Sequence, residues 1–138
     1  MQETFLRVQH LAQSRGYQAA HPRAERSIVL ASGEPAGRWM VDREGESIVL
    51  VDVAFLPEHR GKGLGTALLK RLLAEGGAAG RKVKLQVTRG NPAIRLYQRL
   101  GFVRTGGDEI RDSMEWAPLA ADGGPPDYPW RASRKKAL

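Results

Sequence analysis

The stretch VDVAFLPEHRGKGLGTALLKRLL, residues 51–73, joins an apolar run to a leucine-rich segment through a cluster of glycines. The apolar run stops at Pro57, and three glycines then follow at alternate positions: Gly61, Gly63 and Gly65. The leucines beyond them recur at the spacing of one buried helical face: Leu68, Leu69, Leu72 and Leu73. This order predicts a buried strand over residues 47–55, a glycine loop, and a helix over about residues 63–75.

The glycine loop resembles neither of two familiar phosphate-binding motifs. A Walker A loop would need a glycine at Leu56, and a dinucleotide fingerprint would need one at Thr66. A helix start nevertheless carries unpaired N–H groups and a partial positive charge. Because glycines lack Cβ atoms, an anion can approach these groups closely, and Arg60 and Lys62 add positive charge. The loop predicts a pyrophosphate site, although a tight turn before an ordinary helix would use the same residues.

The rest of the chain predicts one α/β domain over residues 1–118 and a Pro/Gly-rich basic tail over 119–138 that is disordered. Helical spacing of apolar residues predicts a first helix over residues 3–20. The other predicted elements are strands over 27–32, 37–42 and 47–55 in an antiparallel meander, a strand over 82–88, a helix capped by Asn91 that ends at Gly101, and strands near 102–105 and 111–116.

The overall composition argues against several classes of protein. The 138 residues include no cysteine, so no disulfide framework or thiolate metal site is expected, and we predict no metal. No apolar run approaches the ~20 residues of a membrane span, and the N-terminus lacks a signal-peptide core. We therefore predict a cytoplasmic protein without membrane contact. The net charge of +7 favours anionic ligands.

Two motifs carry a resemblance to the GNAT superfamily of acetyl-CoA-dependent N-acetyltransferases. The segment RGKGLGTALL, residues 60–69, resembles the acetyl-CoA pyrophosphate loop, and NPAIRLYQRLGF, residues 91–102, resembles the second signature. The likeness covers roughly residues 5–116. It implies a mixed, mostly antiparallel sheet flanked by helices, with a bulged fourth strand that splays from the fifth. Because the chain begins close to the helix predicted over 3–20, either the first family strand is absent or the sequence start is shortened.

The resemblance also implies a site for acetyl-CoA as co-substrate. The fourth strand would bind the pantetheine arm through the backbone of Val53, Ala54 and Phe55. The pyrophosphate would be held by Arg60, Gly61, Lys62, Gly63, Leu64, Gly65 and Thr66. Asn91 would contact the coenzyme, but it precedes Tyr97 by six residues where many relatives have seven, so Gly90 is the alternative occupant of that position. Tyr97 would be the general acid, although it also fits an apolar stripe of core residues.

The general base is left open by the sequence. Asp52 lies in an apolar strand, where an unpaired carboxylate would be costly, so it is either a base or hydrogen-bonded to a neighbouring strand or loop. Glu46, near the start of the same strand, is a second candidate. Some relatives carry a glutamate where this chain has Gln86, which cannot act as a base. Deprotonation by ordered water or by solvent is a third alternative.

The function implied is transfer of acetyl from acetyl-CoA to a primary amine by direct attack in a ternary complex. The acceptor could be a small molecule, a polyamine, an amino acid or a peptide terminus, and a monomer and a homodimer are both compatible with the sequence. The alternative is a catalytically inactive module that binds coenzyme A or nucleic acid. No aromatic-rich basic stripe lies outside the tail, which disfavours nucleic acid.

Overall fold

Seven strands and two helices form a mixed α/β fold in the computed structural model, which describes residues 6–11 and 21–119. The sheet order is β1-β2-β3-β4-β5-β7-β6, and within the described residues only the β4–β5 pair is parallel. This confirms the predicted fold class. The elements are β1 (Leu6–Leu11), β2 (Glu25–Ala31), β3 (Glu34–Asp42), β4 (Ile48–Phe55), α1 (Leu64–Ala79), β5 (Val83–Thr88), α2 (Ala93–Arg99), β6 (Val103–Gly107) and β7 (Arg111–Trp116), with a 3₁₀ turn at Pro57–His59 before α1.

The N-terminal prediction is wrong where the structure can be compared with it. Residues 6–11 form strand β1, antiparallel to β2, and not part of a helix over 3–20. An edge strand is therefore present where none was expected. Phe5, Val8 and Ala12 fit a helical period, but Leu6 and Val8 also alternate with polar residues, so the structure of a segment this short is decided by pairing with β2. Residues 1–5, 12–20 and the predicted tail from 120 onward lie outside the described residues.

The meander of β2, β3 and β4 is confirmed, with a shifted first turn. Ala31 pairs with Glu34, so the hairpin turn consists of Ser32 and Gly33 alone. The proline at position 35 belongs to β3 and not to a turn, since it pairs with Leu30, and the register shift beside it leaves Ala36 as an extra residue of β3. Strand β3 therefore begins three residues earlier than the predicted residue 37.

Helix α1 continues for four residues beyond its predicted end and stops at the left-handed Gly80. The predicted end at residue 75 lies directly before the glycine pair 76–77, but α1 continues through this pair, and Gly76 has a packing role. A Cβ at Gly76 would lie 2.9 Å from the Arg81 carbonyl oxygen, 3.1 Å from Val83 Cγ2 and 3.2 Å from Trp116 Cζ3. The last turn of α1 can approach the sheet this closely only because position 76 has no side chain.

The main core lies between α1 and one face of the sheet. The leucines predicted for the inner face of α1 are all buried, and β5 alternates strictly between buried and exposed residues, as predicted. Buried partners from the sheet include Val29, Val41, Ile48, Leu50, Val83, Leu85 and Val87. In the described ranges, neither helix is long and apolar enough to cross a bilayer.

Strands β4 and β5 separate soon after they begin. Their pairing covers three residues of each strand, Ile48–Leu50 against Val83–Leu85. Directly beyond this point β4 carries a bulge: Met40 pairs with Asp52 and Val41 with Leu50, so Val51 is an extra residue. The predicted bulge and splay are both confirmed, and the gap they open lies inside the sheet.

The two adjacent glycines of α1 allow a matched test of the close approach at the helix end. Gly76→Ala should destabilise the fold by about 1–3 kcal/mol, because the added methyl group overpacks the contact with β5 and Trp116. Gly77→Ala should be neutral or stabilising by up to about 1 kcal/mol, since its Cβ would meet only Trp116 at 3.8 Å and alanine favours helix. Urea unfolding of both variants measures the difference, and equal effects would contradict the packing role.

Candidate active site

Two cavities flank the gap between β4 and β5. One, of about 790 Å³, lies on the side of the sheet that carries α1 and α2, and we call it the helix-side cavity. The other, of about 780 Å³, lies over the outward-facing residues of β5 and β7, and we call it the open-face cavity. The predicted site residues concentrate in the helix-side cavity, so it is described first.

The glycine loop supplies the helix-side cavity with exposed main-chain donors. Gly61 and Gly63 have left-handed φ angles of 74° and 79°, and a Cβ at either would meet no atom within 4 Å. The first helical hydrogen bond of α1 runs from the Ala67 amide to the Gly63 carbonyl at 3.0 Å, and no side chain caps the helix. The amides of residues 64–66 therefore precede the helical ladder and remain available to an anion.

Phe55 and Arg60 fix the glycine loop against the end of β4. The Phe55 ring lies between β3 and the start of α1, where a Cβ at Gly37 would lie 2.9 Å from Phe55 Cδ1 and one at Gly65 would lie 3.4 Å from Phe55 Cε2. Arg60 Nε donates to the Phe55 carbonyl at 3.1 Å, and the Leu56 amide donates to the Ala36 carbonyl at 2.8 Å. These contacts hold the helix start directly beyond the gap.

Alternate residues of β4 direct their main-chain N–H and C=O groups toward the gap. The Leu56 amide bonds to β3, and main-chain groups of successive strand residues point to opposite sides. Val53 and Phe55 therefore direct their N–H and C=O groups away from β3, toward the space where β5 would otherwise pair. The Phe55 carbonyl is occupied by Arg60, which leaves the N–H groups of both residues and the Val53 carbonyl at the gap.

Helix α2 contributes Tyr97 to the helix-side cavity, and the turn before it contributes Asn91. Asn91 Oδ1 accepts a hydrogen bond from the Ala93 amide at 2.9 Å, so it caps the first turn as predicted and keeps its NH₂ group for other partners. Tyr97 is 7% exposed, and its ring packs edge-on against Phe102 at a centroid distance of 5.7 Å. No fully buried side-chain oxygen in the described residues lacks a partner, so the Tyr97 hydroxyl, which has no bond to another described residue, keeps accessible surface, and Tyr97 lines the cavity. Burial of the ring raises the pKa of Tyr97.

Most of the predicted coenzyme residues line the helix-side cavity together, but the predicted bases do not. The lining includes Val53, Ala54, Phe55, Arg60, Gly61, Gly63, Leu64, Gly65, Thr66, Asn91 and Tyr97. Lys62 and Gly90 are outside it. Asp52 forms an ion pair with Arg38 Nε at 2.8 Å across β3 and β4, and Glu46 lies exposed in the β3–β4 loop, where its carbonyl accepts from Arg81. Neither carboxylate lines either cavity.

The open-face cavity brings together residues that the sequence did not single out. Its walls include Val49 and Val51 from β4, Thr88 from β5 and Ser113 from β7. The buried Glu115 pairs with Lys82 Nζ at 3.1 Å. His21 also lines this cavity, and its Nδ1 lies 2.9 Å from Asp42 Oδ2. No local pattern links His21 and Asp42, because they are 21 positions apart and meet only when β3 forms.

Comparisons with known proteins agree with this geometry. The sequence matches the family model described as the acetyltransferase (GNAT) family over residues 2–102. Comparison with curated protein sequences gives no match. The structure resembles the ribosomal-protein-S18-alanine N-acetyltransferase from Escherichia coli, with 24% identity, 84% of each chain covered and a TM-score of 0.65.

Two further solved structures share the fold. A GNAT family acetyltransferase from Elizabethkingia anophelis with acetyl-CoA bound has 11% identity and a TM-score of 0.66, over 81% of this chain and 97% of that one. PaiA N-acetyltransferase from Thermoplasma acidophilum in complex with coenzyme A has 21% identity and a TM-score of 0.59. That match covers 67% of this chain, which spans 59% of the PaiA chain.

Asp42 should make the stability of the protein depend on pH in the acid range. A backbone hydrogen bond from Glu44, the bond to His21 and the charge of Arg23 hold the pKa of Asp42 below its ordinary value of 3.8. A carboxyl whose folded-state pKa is lowered stabilises the fold above the unfolded value, and this contribution disappears as pH falls through the folded value. Wild type should therefore be more stable than Asp42→Asn at pH 7, and this difference should close below about pH 3.8.

Glu44→Gln is the control for this measurement, because it keeps the backbone amide that Asp42 accepts from and removes only the negative charge of an exposed side chain that pairs with Arg23. Urea unfolding of the three proteins between pH 2.5 and pH 7 provides the comparison. A difference between wild type and Asp42→Asn that stays constant over this range would contradict the role given to the Asp42 charge.

Proposed function

The chain belongs to the GNAT acetyltransferase family, and we propose that it transfers the acetyl group of acetyl-CoA to a primary amine by direct attack in a ternary complex. The observation that best supports this activity is that two features lie at the same cavity. A glycine-flanked helix start with available amides lies at one end, and the gap between β4 and β5 lies at the other. An ordinary tight turn before a helix would not require the gap.

The residues of the glycine loop fit the pyrophosphate of coenzyme A. Residues 64–66 line the cavity together with Gly61 and Gly63, around which the space is open, and Arg60 adds a positive charge to the same lining. Each hydrogen bond from a main-chain amide of residues 64–66 to a charged oxygen could contribute about 1.5–3 kcal/mol net. The N-terminal end of α1 adds the favourable field of the helix dipole, which attracts an anion.

The backbone of β4 fits the pantetheine arm, which carries two amide groups. Main-chain donors and acceptors at Val53 and Phe55 lie at the gap, where β5 no longer pairs with β4. An extended chain with amide groups can take the place of the missing strand partner and satisfy these groups. A ligand held in this way would direct its thioester end toward the bulge at Val51.

The chemistry needs an activated acyl group, a neutral amine, a site for negative charge and a proton donor. Acetyl-CoA supplies the activated carbonyl as a thioester. A main-chain N–H of Val53 or Phe55 would donate to the oxygen on which negative charge develops. Tyr97 would hold the proton that the departing thiolate requires, because a phenol with an ordinary pKa of 10.0, which burial raises further, is protonated at neutral pH.

The acceptor amine would reach the gap from the open-face cavity. Lys84 and Arg111 line that cavity, and the negative charge of Glu115 is already paired with Lys82. This lining repels a polycation, so we expect a peptide terminus or an amine that carries an anionic group in preference to a polyamine. The Escherichia coli neighbour is named as an alanine N-acetyltransferase, which makes a peptide with an N-terminal alanine a reasonable first acceptor to test.

A thiol-release assay tests the proposal against the alternative of a non-catalytic coenzyme-binding module. Acetyl-CoA is incubated with the full chain and, in turn, spermidine, L-glutamate, tryptamine or an alanine-initiated tripeptide amide. We expect amine-dependent thiol release for at least one acceptor, weakest for spermidine. Thermal stabilisation by acetyl-CoA without release for any amine would favour the binding module.

Gly63→Ala tests the pyrophosphate cradle, with Gly80→Ala as its matched control. Both glycines cap α1, have left-handed φ angles of 79° and 66°, and have no neighbour within 4 Å of an added Cβ. Each substitution should cost a similar stability, about 1–2 kcal/mol, because alanine strains this backbone. Only Gly63→Ala should weaken acetyl-CoA binding, by tenfold or more in calorimetry. Equal affinities for the two variants would count against the cradle.

Tyr97→Phe tests the proton donor. The substitution keeps the ring and its contact with Phe102 and removes only the hydroxyl of this cavity-lining residue. Turnover should fall about 10²-fold or more, in the range typical for loss of a general acid, with acetyl-CoA affinity unchanged. Near-normal turnover of the variant would assign Tyr97 to packing alone.

A further inference from the structure

His21 and Asp42 form a hydrogen-bonded pair on the opposite side of the sheet from the glycine loop. His21 Nδ1 lies 2.9 Å from Asp42 Oδ2, and the exposed fractions of the two side chains are 30% and 17%. Asp42 Oδ1 accepts a second hydrogen bond from the Glu44 amide at 3.0 Å. The carboxylate is thus held through both oxygens and can orient the imidazole ring.

This arrangement determines which ring nitrogen can take up a proton. An ionised carboxylate only accepts hydrogen bonds, so the bond to Asp42 requires the proton of the neutral ring to be on Nδ1. Nε2 then carries the free electron pair. Within the part of the chain that the structure describes, Nε2 makes no hydrogen bond to another residue, and the ring forms part of the cavity wall.

The His21–Asp42 pair is linked to the gap between β4 and β5 through strand β4. Asp42 pairs in register with Val49 of β4, and Val49 and Val51 line the open-face cavity together with His21. Val51 is the bulged residue at which β4 leaves β5. The imidazole therefore lines the cavity that reaches the gap from the side opposite to Tyr97.

We propose that His21, oriented by Asp42, accepts the proton that the attacking amine loses. The inference rests on the proposed acetyltransferase function and assigns its missing base. As the C–N bond forms and the C–S bond breaks, one proton moves from the amine nitrogen to His21 Nε2 and one from the Tyr97 hydroxyl to the sulfur. Solvent then takes the proton from His21 and returns one to Tyr97, so the protein is restored unchanged. Asp42 stays ionised and acts as a positioning residue.

Two other roles compete with this one. The pair could simply anchor the segment before β2 to the end of β3, in which case it would affect stability but not proton transfer. Asp52 could be the base, as the sequence suggested, although its carboxylate is paired with Arg38 and lines neither cavity. Among the described residues, other charged groups near His21 are Arg23 and Glu44 beside Asp42, and Lys84, Arg111 and Glu115 in the cavity lining.

The test compares His21→Gln, Asp42→Asn and Asp52→Asn with wild type, using acetyl-CoA and the panel amine that wild type acetylates fastest. His21→Gln retains a donor for Asp42 but cannot accept a proton, so its turnover should fall about 10²-fold or more with unchanged acetyl-CoA affinity. Asp42→Asn should lower kcat by a smaller factor and alter the pH profile of kcat. Asp52→Asn should stay within about threefold of wild type.

Chemical rescue and nitrogen spectroscopy separate catalysis from anchoring. Free imidazole should restore part of the turnover of His21→Ala in proportion to its concentration, which an anchoring role would not produce. Nitrogen-15 NMR of wild type should find the neutral His21 ring as the Nδ1–H tautomer. Near-normal turnover of His21→Gln, absence of rescue, or the Nε2–H tautomer would each overturn the inference. Failure of wild type on every panel amine would instead contradict the acetyltransferase proposal, while the tautomer measurement would still test the pair.

Discussion

The rest of the site depends on the early end of pairing between β4 and β5. Two parallel strands inside a sheet normally satisfy each other's main-chain groups along their whole length, but here the ladder stops after Leu50 and Leu85. The bulge at Val51 bends β4 at that point, and no residue of β4 beyond it is fully buried. Main-chain polar groups left facing a gap are costly unless they find partners. The fold keeps this gap because β3 and β7 support β4 and β5 from their other sides.

The same strand also fixes the direction of α1. Phe55 is the last residue of β4, and its ring packs under the start of α1. Its carbonyl accepts a hydrogen bond from Arg60 Nε, so the loop returns to the gap beside β4. Glycine at position 37 leaves room for the Phe55 ring, and glycines at 61 and 63 supply the left-handed φ angles through which the loop enters α1. A positive helix end and a row of free main-chain donors therefore meet at one cavity. An anionic head with an amide-bearing arm is the ligand shape that both features suit.

Most of this arrangement could be predicted from local patterns in the sequence. The alternation of β5, the leucine face of α1 and the glycine loop each reflect a single element, so their spacing identified them correctly. Three features depended on contacts between distant segments and were wrong or missed. Residues 6–11 form strand β1 because they pair with the edge of β2. Helix α1 continues past Gly76 because this glycine lets the helix pack closely on Trp116. His21 and Asp42 come into contact only when the sheet has folded. The role of Asp52 was left open, and its ion pair with Arg38 explains how a carboxylate is accommodated in that strand.

Amide hydrogen exchange with and without coenzyme A tests whether main-chain groups at the gap and at the helix start bind the coenzyme. We predict that saturating coenzyme A slows exchange at Val53, Phe55 and residues 64–66, while amides near Gly80 at the far end of α1 exchange as before. Slowed exchange spread evenly over the protein, or no change at residues 53–66, would contradict this prediction.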